Sequence, residues 1–400
     1  MTILGLIVEY NPFHNGHLFH IQQAKKITES NVTIAVMSGP FVQRGEPAIM
    51  DKWTRTKMAL ENGIDLIIEL PVVYATQSAD WFAFGAISLL NHLNVTHLVF
   101  GSESNLLERL DHLANLLLHE PVQFQTLLKK NLSLGNSYPK ALALTLQQYQ
   151  RGFDDFILQP NDILGLQYLL QIKKLNSKIK ALTIRRKNSQ YHDQTISDNT
   201  FASATAIRTA IRTNDHIEKI FSYVPPTTWN LYKNTLRQNR FQSWENYYQT
   251  LKILILNQTV EQLKQIHGMV EGLESRLREG IYHASSFHDF VSIVKTKRYT
   301  QAKLQRIFLH LLLNLTKDRV QKMNVEKGPQ YVRLLGFNQK GREYLNQIKH
   351  QLSIPMISNL SKIRSPMLDF DIQASQIYET GFDEPNFRYN DYKQRPIFYS

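Results

Sequence analysis

The chain has 400 residues, 42% of them hydrophobic and 20% charged, with a formal net charge of +12 and no cysteine. That length leaves room for two or three domains of roughly 100–200 residues and for a sizeable core. The lack of cysteine excludes disulfides, thiolate nucleophiles, iron–sulfur clusters and cysteine zinc sites together.

The greasiest stretch, Ile307 to Leu315, is broken by His310 and falls short of the roughly 18 residues a membrane helix needs. No basic residues precede the apolar run Ile3 to Val8, as they would in a secretory leader. The expectation is a cytoplasmic protein with no membrane association. Charge is uneven. Residues 1–200 hold about 18 Lys and Arg against 17 Asp and Glu, and residues 201–400 about 28 against 17. A basic half beside a near-neutral one points to a polyanion such as nucleic acid, or to a merely soluble basic surface.

In chain order, apolar runs at Ile3 to Val8, Val32 to Met37, Leu66 to Leu70 and His97 to Phe100 read as strands buried on both faces. Helical segments separate them at Gly16 to Thr28, Lys52 to Asn62 and Ala79 to His92, and Gly63 stands where a left-handed cap ends a helix. This alternation predicts βαβ units in an α/β fold with a parallel sheet. Residues 105–149 read as mainly helical. A helix from Pro160 to about Lys174 follows, with Asn161 as its cap, then a fifth strand at Ile179 to Ile184. A polar loop with Tyr191, His192 and Asp193 leads to a helix from Ser203 to Ile211. Val224-Pro225-Pro226 marks a break, which divides the chain into residues 1–214 and a mainly α-helical 215–400. Helices are expected there at Trp229 to Arg237, Trp244 to Ile255, Thr259 to Gln265, Glu271 to His283, Phe287 to Val294, Tyr299 to Leu315 and Gly341 to Gln351. The last 25 residues, with Tyr378, Phe387, Tyr389, Tyr392, Phe398 and Tyr399, read as an irregular aromatic tail.

The chemistry concentrates after the first strand, in Asn11-Pro12-Phe13-His14-Asn15-Gly16-His17. Ligands of parallel α/β sheets gather at the C-terminal strand ends, and a helix N-terminus there offers free N–H groups to phosphate. Gly16 leaves room for a nucleotide against the backbone. His14 and His17, three residues apart, can face one phosphate and donate to its developing charge. Two histidines near a turn are also common in plain structural roles. No acidic or sulfur ligand sits at metal-binding spacing.

This strand–HxGH–helix element resembles the nucleotidyltransferase superfamily, as does Phe201-Ala202-Ser203-Ala204-Thr205-Ala206-Ile207-Arg208, which is similar to its late Ser/Thr-x-Ile-Arg segment. A wider set resembles the bacterial tRNA(Met) cytidine acetate ligase family. It comprises Val8 to His17, Met37-Ser38-Gly39, Gln43 to Ala48, Asp51-Lys52-Trp53, Ile68-Glu69-Leu70-Pro71, Phe100-Gly101-Ser102-Glu103, Pro160-Asn161, Arg185-Arg186, Tyr191-His192-Asp193 and Lys295 to Tyr299.

The resemblance implies a Rossmann-like nucleotidyltransferase domain with catalytic His14 and His17. Its ATP loop would comprise Ile7, Val8, Glu9, Tyr10, Asn11, Pro12, Phe13, His14, Asn15, Gly16, His17, Leu18, Phe19 and His20. Gly101, Asn161 and Arg186 would be further nucleotide contacts. It implies ATP-dependent formation of acetyl-adenylate from acetate, then acetylation of N4 of the wobble cytidine in elongator tRNA(Met), with magnesium on the departing pyrophosphate. No protein partner is implied.

The residues themselves are compatible with these roles. Gly101 suits a close approach of the base or an ordinary strand-end turn; Asn161 a base contact or a helix cap. Arg186 carries planar charge for phosphate or sits solvated at a strand end. Ser203 and Thr205 can donate to phosphate or cap their helix. In the basic half, Lys295, Lys297, Arg298, Tyr299, Lys303 and Arg306 mix cations with an aromatic, as phosphate contact and base stacking require, or form a solvated amphipathic face. Two other readings stay open: an adenylyltransferase acting on a small phosphorylated metabolite, and an RNA-binding module without catalysis.

Overall fold

The computed structural model describes residues 1–136, 138–149, 159–186, 202–213, 220–238, 240–296, 299–360, 363–382 and 391–400. Five parallel strands form its centre: β1 (Ile3–Val8), β2 (Val32–Ser38), β5 (Leu66–Leu70), β6 (His97–Ser102) and β7 (Lys180–Arg185), in the spatial order β5-β2-β1-β6-β7. β1 and β2 run in register from Ile3 opposite Val32 to Val8 opposite Met37. Side chains alternate faces along a strand. Ile34, Val36 and Ile68 therefore join one core, and Ala35, Met37 and Ile67 the other. That is why these strands read as unbroken apolar runs.

Each face is covered by helices whose apolar stripes fit it. Ile21 and Ala24 of helix Asn15–Thr28, Met58 to Leu60 of Lys52–Glu61, and Ile207 and Ile211 of Ala204–Thr213 bury against one core. Helix Ala79–His92 and helix Pro160–Lys174 pack on the other. Three helices fill residues 107–149 as expected, and Leu107–His119 packs against Pro160–Lys174. Gly63 has φ 97° beyond helix Lys52–Glu61, the left-handed conformation its position called for. The loops at 191–193 and 214–219 lie outside the described residues.

The second half is mainly helical, but it also extends the sheet. Strand β8 (Val332–Asn338) pairs antiparallel with β5, and β9 (Met356–Ile357) and β10 (Ile397–Tyr399) pair parallel with β8. The sheet therefore runs across a division at residue 214, with strands from both sides of it. The tail is correspondingly more regular than expected. Tyr378 lies on a helix, Pro366–Glu379, with its hydroxyl on the Ala48 carbonyl, and Phe398 and Tyr399 belong to β10. Phe387 and Tyr389 are outside the described residues.

A buried charge cluster joins the halves. Lys52 Nζ lies 3.0 Å from Glu69 Oε1 and 2.9 Å from Asp391 Oδ2, and donates to Ser375. Arg333 reaches Glu69 at 3.1 Å and Asp391 at 2.9 Å. Burial alone would raise the Asp391 carboxyl, but Arg333 and Lys52 hold it well below the usual range. Single buried charges are costly, so these residues belong together or not at all.

Candidate active site

β1 ends at Val8, and the chain turns through Tyr10 in the left-handed region (φ 46°) before helix Asn15–Thr28 begins. His14 caps that helix: its Nδ1 accepts from the Gly16 amide at 3.0 Å, while the His14 amide donates to Nδ1 of His17 at 3.3 Å. This is a reciprocal capping box written in imidazoles rather than in Ser and Glu. With both Nδ1 atoms accepting, the ring proton of each neutral histidine sits on Nε2. The two rings stack with centroids 3.8 Å apart.

The stacking explains Gly16. A Cβ there would lie 2.8 Å from His14 Cε1, so the glycine makes room for the ring, not only for a ligand. Burial, with Arg186 and Arg208 nearby, pushes the His14 imidazole down to about 3. Burial and the neighbouring His14 and Arg186 also lower His17, and His20 falls to about 4 for the same kind of reason. All three are neutral near pH 7, so His14 and His17 have Nε2–H groups free of positive charge to offer a ligand.

These residues open onto a cavity of about 300 Å³ at the C-terminal ends of β1, β6 and β7. Of the expected ATP loop, Ile7, Val8, Glu9, Tyr10, Asn11, His14, Gly16, His17, Phe19 and His20 line it. Pro12, Phe13, Asn15 and Leu18 do not: Phe13 is fully buried in the core, and Asn15 Nδ2 donates to the Ser222 carbonyl. Gly101 and Arg186 line the cavity together, and a Cβ on Gly101 would meet the Arg186 stem at 3.3 Å. Asn161 lines it too, but does not cap its helix. That helix starts at Pro160, and Asn161 Nδ2 donates to the Glu103 carboxylate, which also accepts from the Asp162 amide. Ser203 Oγ caps helix Ala204–Thr213 through the Ala206 amide, and Ser203 and Thr205 line the cavity.

Three other features received no role from the sequence, although Arg208 and Gln43 to Ala48 stand within motifs quoted above. Arg208 donates to the Asn11 carbonyl at 2.8 Å, tying the late helix to the HxGH loop. Arg55, fully buried, donates to the Glu9 carbonyl at 2.7 Å and the Ser38 carbonyl at 3.0 Å, and also bonds Gly39, so it clamps the ends of β1 and β2. The hairpin of β3 (Phe41–Val42) and β4 (Glu46–Pro47) brings Gln43, Arg44 and Glu46 to the cavity. The segment Gln43-Arg44-Gly45-Glu46 signals its turn in the sequence through Gly45, which has φ 75°.

The expected RNA face is only partly assembled. Lys295 is exposed, and Lys303 stands 5.6 Å over the Tyr299 ring. Tyr299 itself is buried and does not offer its ring for stacking, a correction to the expectation. Arg306 is half-buried and directed to the Gln43 carbonyl at 3.4 Å. Lys297 and Arg298 lie outside the described residues. Among the described residues no three His, Asp or Glu side chains converge as a metal cage. Nor is any described helix long and apolar enough to cross a membrane.

The family described as HIGH nucleotidyl transferase matches residues 1–395. A tRNA(Met) cytidine acetate ligase of Anoxybacillus flavithermus is 43% identical over 96% of each chain, and one of Clostridium perfringens 41% identical over the whole of both. The crystal structure of Thermotoga maritima TmcAL without ligand has a TM-score of 0.92 at 36% identity, covering all of this chain and 99% of that one. The same protein bound with alpha-thio ATP gives 0.90. The chain belongs to the HIGH nucleotidyl transferases and, within them, to the tRNA(Met) cytidine acetate ligase family.

Proposed function

We propose that this protein activates acetate with ATP as acetyl-adenylate and transfers the acetyl group to N4 of the wobble cytidine of elongator tRNA(Met). The observation that carries the reading is the stacked pair His14 and His17 at a helix N-terminus, each ring accepting through Nδ1, in a cavity that Arg186 and Arg208 also line. An acetate oxygen attacks the α-phosphorus, and pyrophosphate leaves. The two Nε2–H groups donate to the α-phosphate oxygens as their charge grows, and the helix end adds its partial positive charge. Being neutral, the imidazoles hold the transition state without trapping pyrophosphate as cations would.

Arg186, Ser203 and Thr205 line the same cavity and would hold the phosphates. Gly101 and Asn161 stand on the β6 side, where the strand order reverses and nucleotides bind in such sheets. Magnesium supplies charge neutralisation when it arrives with the triphosphate. The basic second half, with Lys295 and Lys303, is our candidate for gripping the tRNA backbone, and the protein would act in the cytoplasm.

The test is incubation with ATP, magnesium, isotopically labelled acetate and bulk tRNA, followed by mass analysis of the digested nucleosides. Label in N4-acetylcytidine is the expected result. ATP consumption with no labelled nucleoside would point to another acceptor, such as a phosphorylated metabolite.

A further inference from the structure

The acyl-transfer step needs a group that holds the cytidine amine and removes its proton. We infer that Glu9 is that group, with Arg44 beside it reading the rest of the cytosine edge; this rests on the acetate ligase reading above.

Glu9 follows β1 directly, five residues before His14 of the HxGH segment, and lines the same cavity. Its place is fixed twice. Arg55 holds its carbonyl at 2.7 Å, and its Oε1 accepts from the Gln43 amide at 2.7 Å. The sheet order assigns the two sides of β1 to different ligands. The reversal point lies between β1 and β6, which leaves the nucleotide over Gly101, Asn161 and Arg186. The opposite side, toward β2, is walled by the β3–β4 hairpin and carries Glu9, Gln43, Arg44 and Glu46. An acceptor entering there meets the acyl group across His14 and His17.

The hairpin side also has the functional groups that cytosine requires. Its pairing edge presents N4–H as donor and N3 and O2 as acceptors. A carboxylate accepts from the amine, and a guanidinium donates to N3 and O2. Of the two carboxylates on this side, Glu46 lies 3.8 Å from Arg208 and accepts from Gln305, whereas Glu9 stands directly after the end of β1 and accepts from the Gln43 amide. Burial raises the Glu9 carboxyl above the usual range, against the opposing pull of the Gln43 amide and Arg44, which suits a proton acceptor better than an ordinary surface glutamate.

In the step itself, the N4 lone pair attacks the acetyl carbonyl carbon and a C–N bond forms. The bond from that carbon to the phosphate oxygen breaks, and AMP departs with the electron pair. The N4 proton passes to the Glu9 carboxylate and from there to solvent. Acetyl-adenylate and cytidine thus become N4-acetylcytidine, AMP and a proton.

The test separates the two half-reactions in Glu9→Gln and Glu9→Asp. Single-turnover transfer is measured from acetyl-adenylate formed in place, beside acetate-dependent pyrophosphate release in the same sample. Glu9→Gln keeps the acceptor for the Gln43 amide but cannot take a proton. Transfer per adenylate formed is expected to fall at least about 100-fold, and its rise with pH in the wild type to flatten. Glu9→Asp, which keeps the carboxylate, is expected to recover part of the rate. Equal loss of both half-reactions, or transfer by Glu9→Gln at the wild-type rate and pH profile, would overturn the assignment. Failure of the wild type to acetylate cytidine would instead overturn the function on which it rests.

Discussion

His14 and His17 cap one helix through each other: the His14 amide is on His17 Nδ1, and the Gly16 amide is on His14 Nδ1. The proposed catalytic pair and the start of the helix are therefore one structure. Replacing either with Ala is expected to lower acetate-dependent pyrophosphate release by about 10²–10³-fold, the usual cost of one transition-state donor. The loss of stability should be only about 1 kcal/mol, the worth of a cap. Steady-state kinetics beside urea melts check both. Because the rings act as a unit, the double variant should fall far less than the product of the singles.

Gly16→Ala should be read with that pair. Alanine favours a helix over glycine by about 1 kcal/mol, which offsets the similar worth of the His14 cap that a displaced ring would lose. The added Cβ must displace the His14 ring, whose Cε1 would be 2.8 Å away. A displacement of that kind is expected to cost about 10²-fold in kcat, with a smaller change in KM for ATP and an unchanged melting temperature.

The pH dependence of stability follows from histidines held neutral. His14 is held down to about 3 by burial and nearby arginines. His310, whose two ring nitrogens face the carbonyls of His267 and Thr76, is still brought to about 4 because burial outweighs those contacts. A depressed folded value means the unfolded chain binds the proton first. The stability is complete above the unfolded value near 6.5 and is lost as pH falls toward 3–4. By pH 5 each of these two groups should cost about 2 kcal/mol. Urea melts between pH 8 and 5 should show the decline, and His310→Asn should make it shallower.

The cluster of Lys52, Glu69, Arg333 and Asp391 gives a fourth expectation. Asp391→Asn leaves two buried cations against the single charge of Glu69. It is expected to destabilise the protein by about 3–5 kcal/mol. Lys52→Met in the same chain should lose less than the sum of the two single changes, as measured in a double-mutant cycle.

The central strands were legible because each is apolar on both faces, as β1 and β2 show, and the HxGH loop because it sits between a buried strand and a helix. Strand β8 was not, since Val332–Asn338 carries Arg333 as its second residue. That arginine suits a buried strand only once Glu69 and Asp391, distant in sequence, are brought to it. Asn161 illustrates another limit: a residue two places into a Pro-led segment looks like a cap, but Glu103 supplies that function from the next strand end. Arg55 carried no motif at all, because its partners are backbone carbonyls that no sequence pattern marks. Tyr299 looked available for stacking because its helix was read from residue 299; the helix begins at Gln301, and Tyr299 turns into the core.

The most direct test of the site is pyrophosphate release from the purified protein with ATP, magnesium and bulk tRNA, with and without acetate, in the wild type and in the His14→Ala and His17→Ala variants. Release that depends on acetate in the wild type and falls by about 10²-fold or more in both variants is the expected result. Release that ignores acetate, or that persists in folded His14→Ala and His17→Ala proteins, would contradict it.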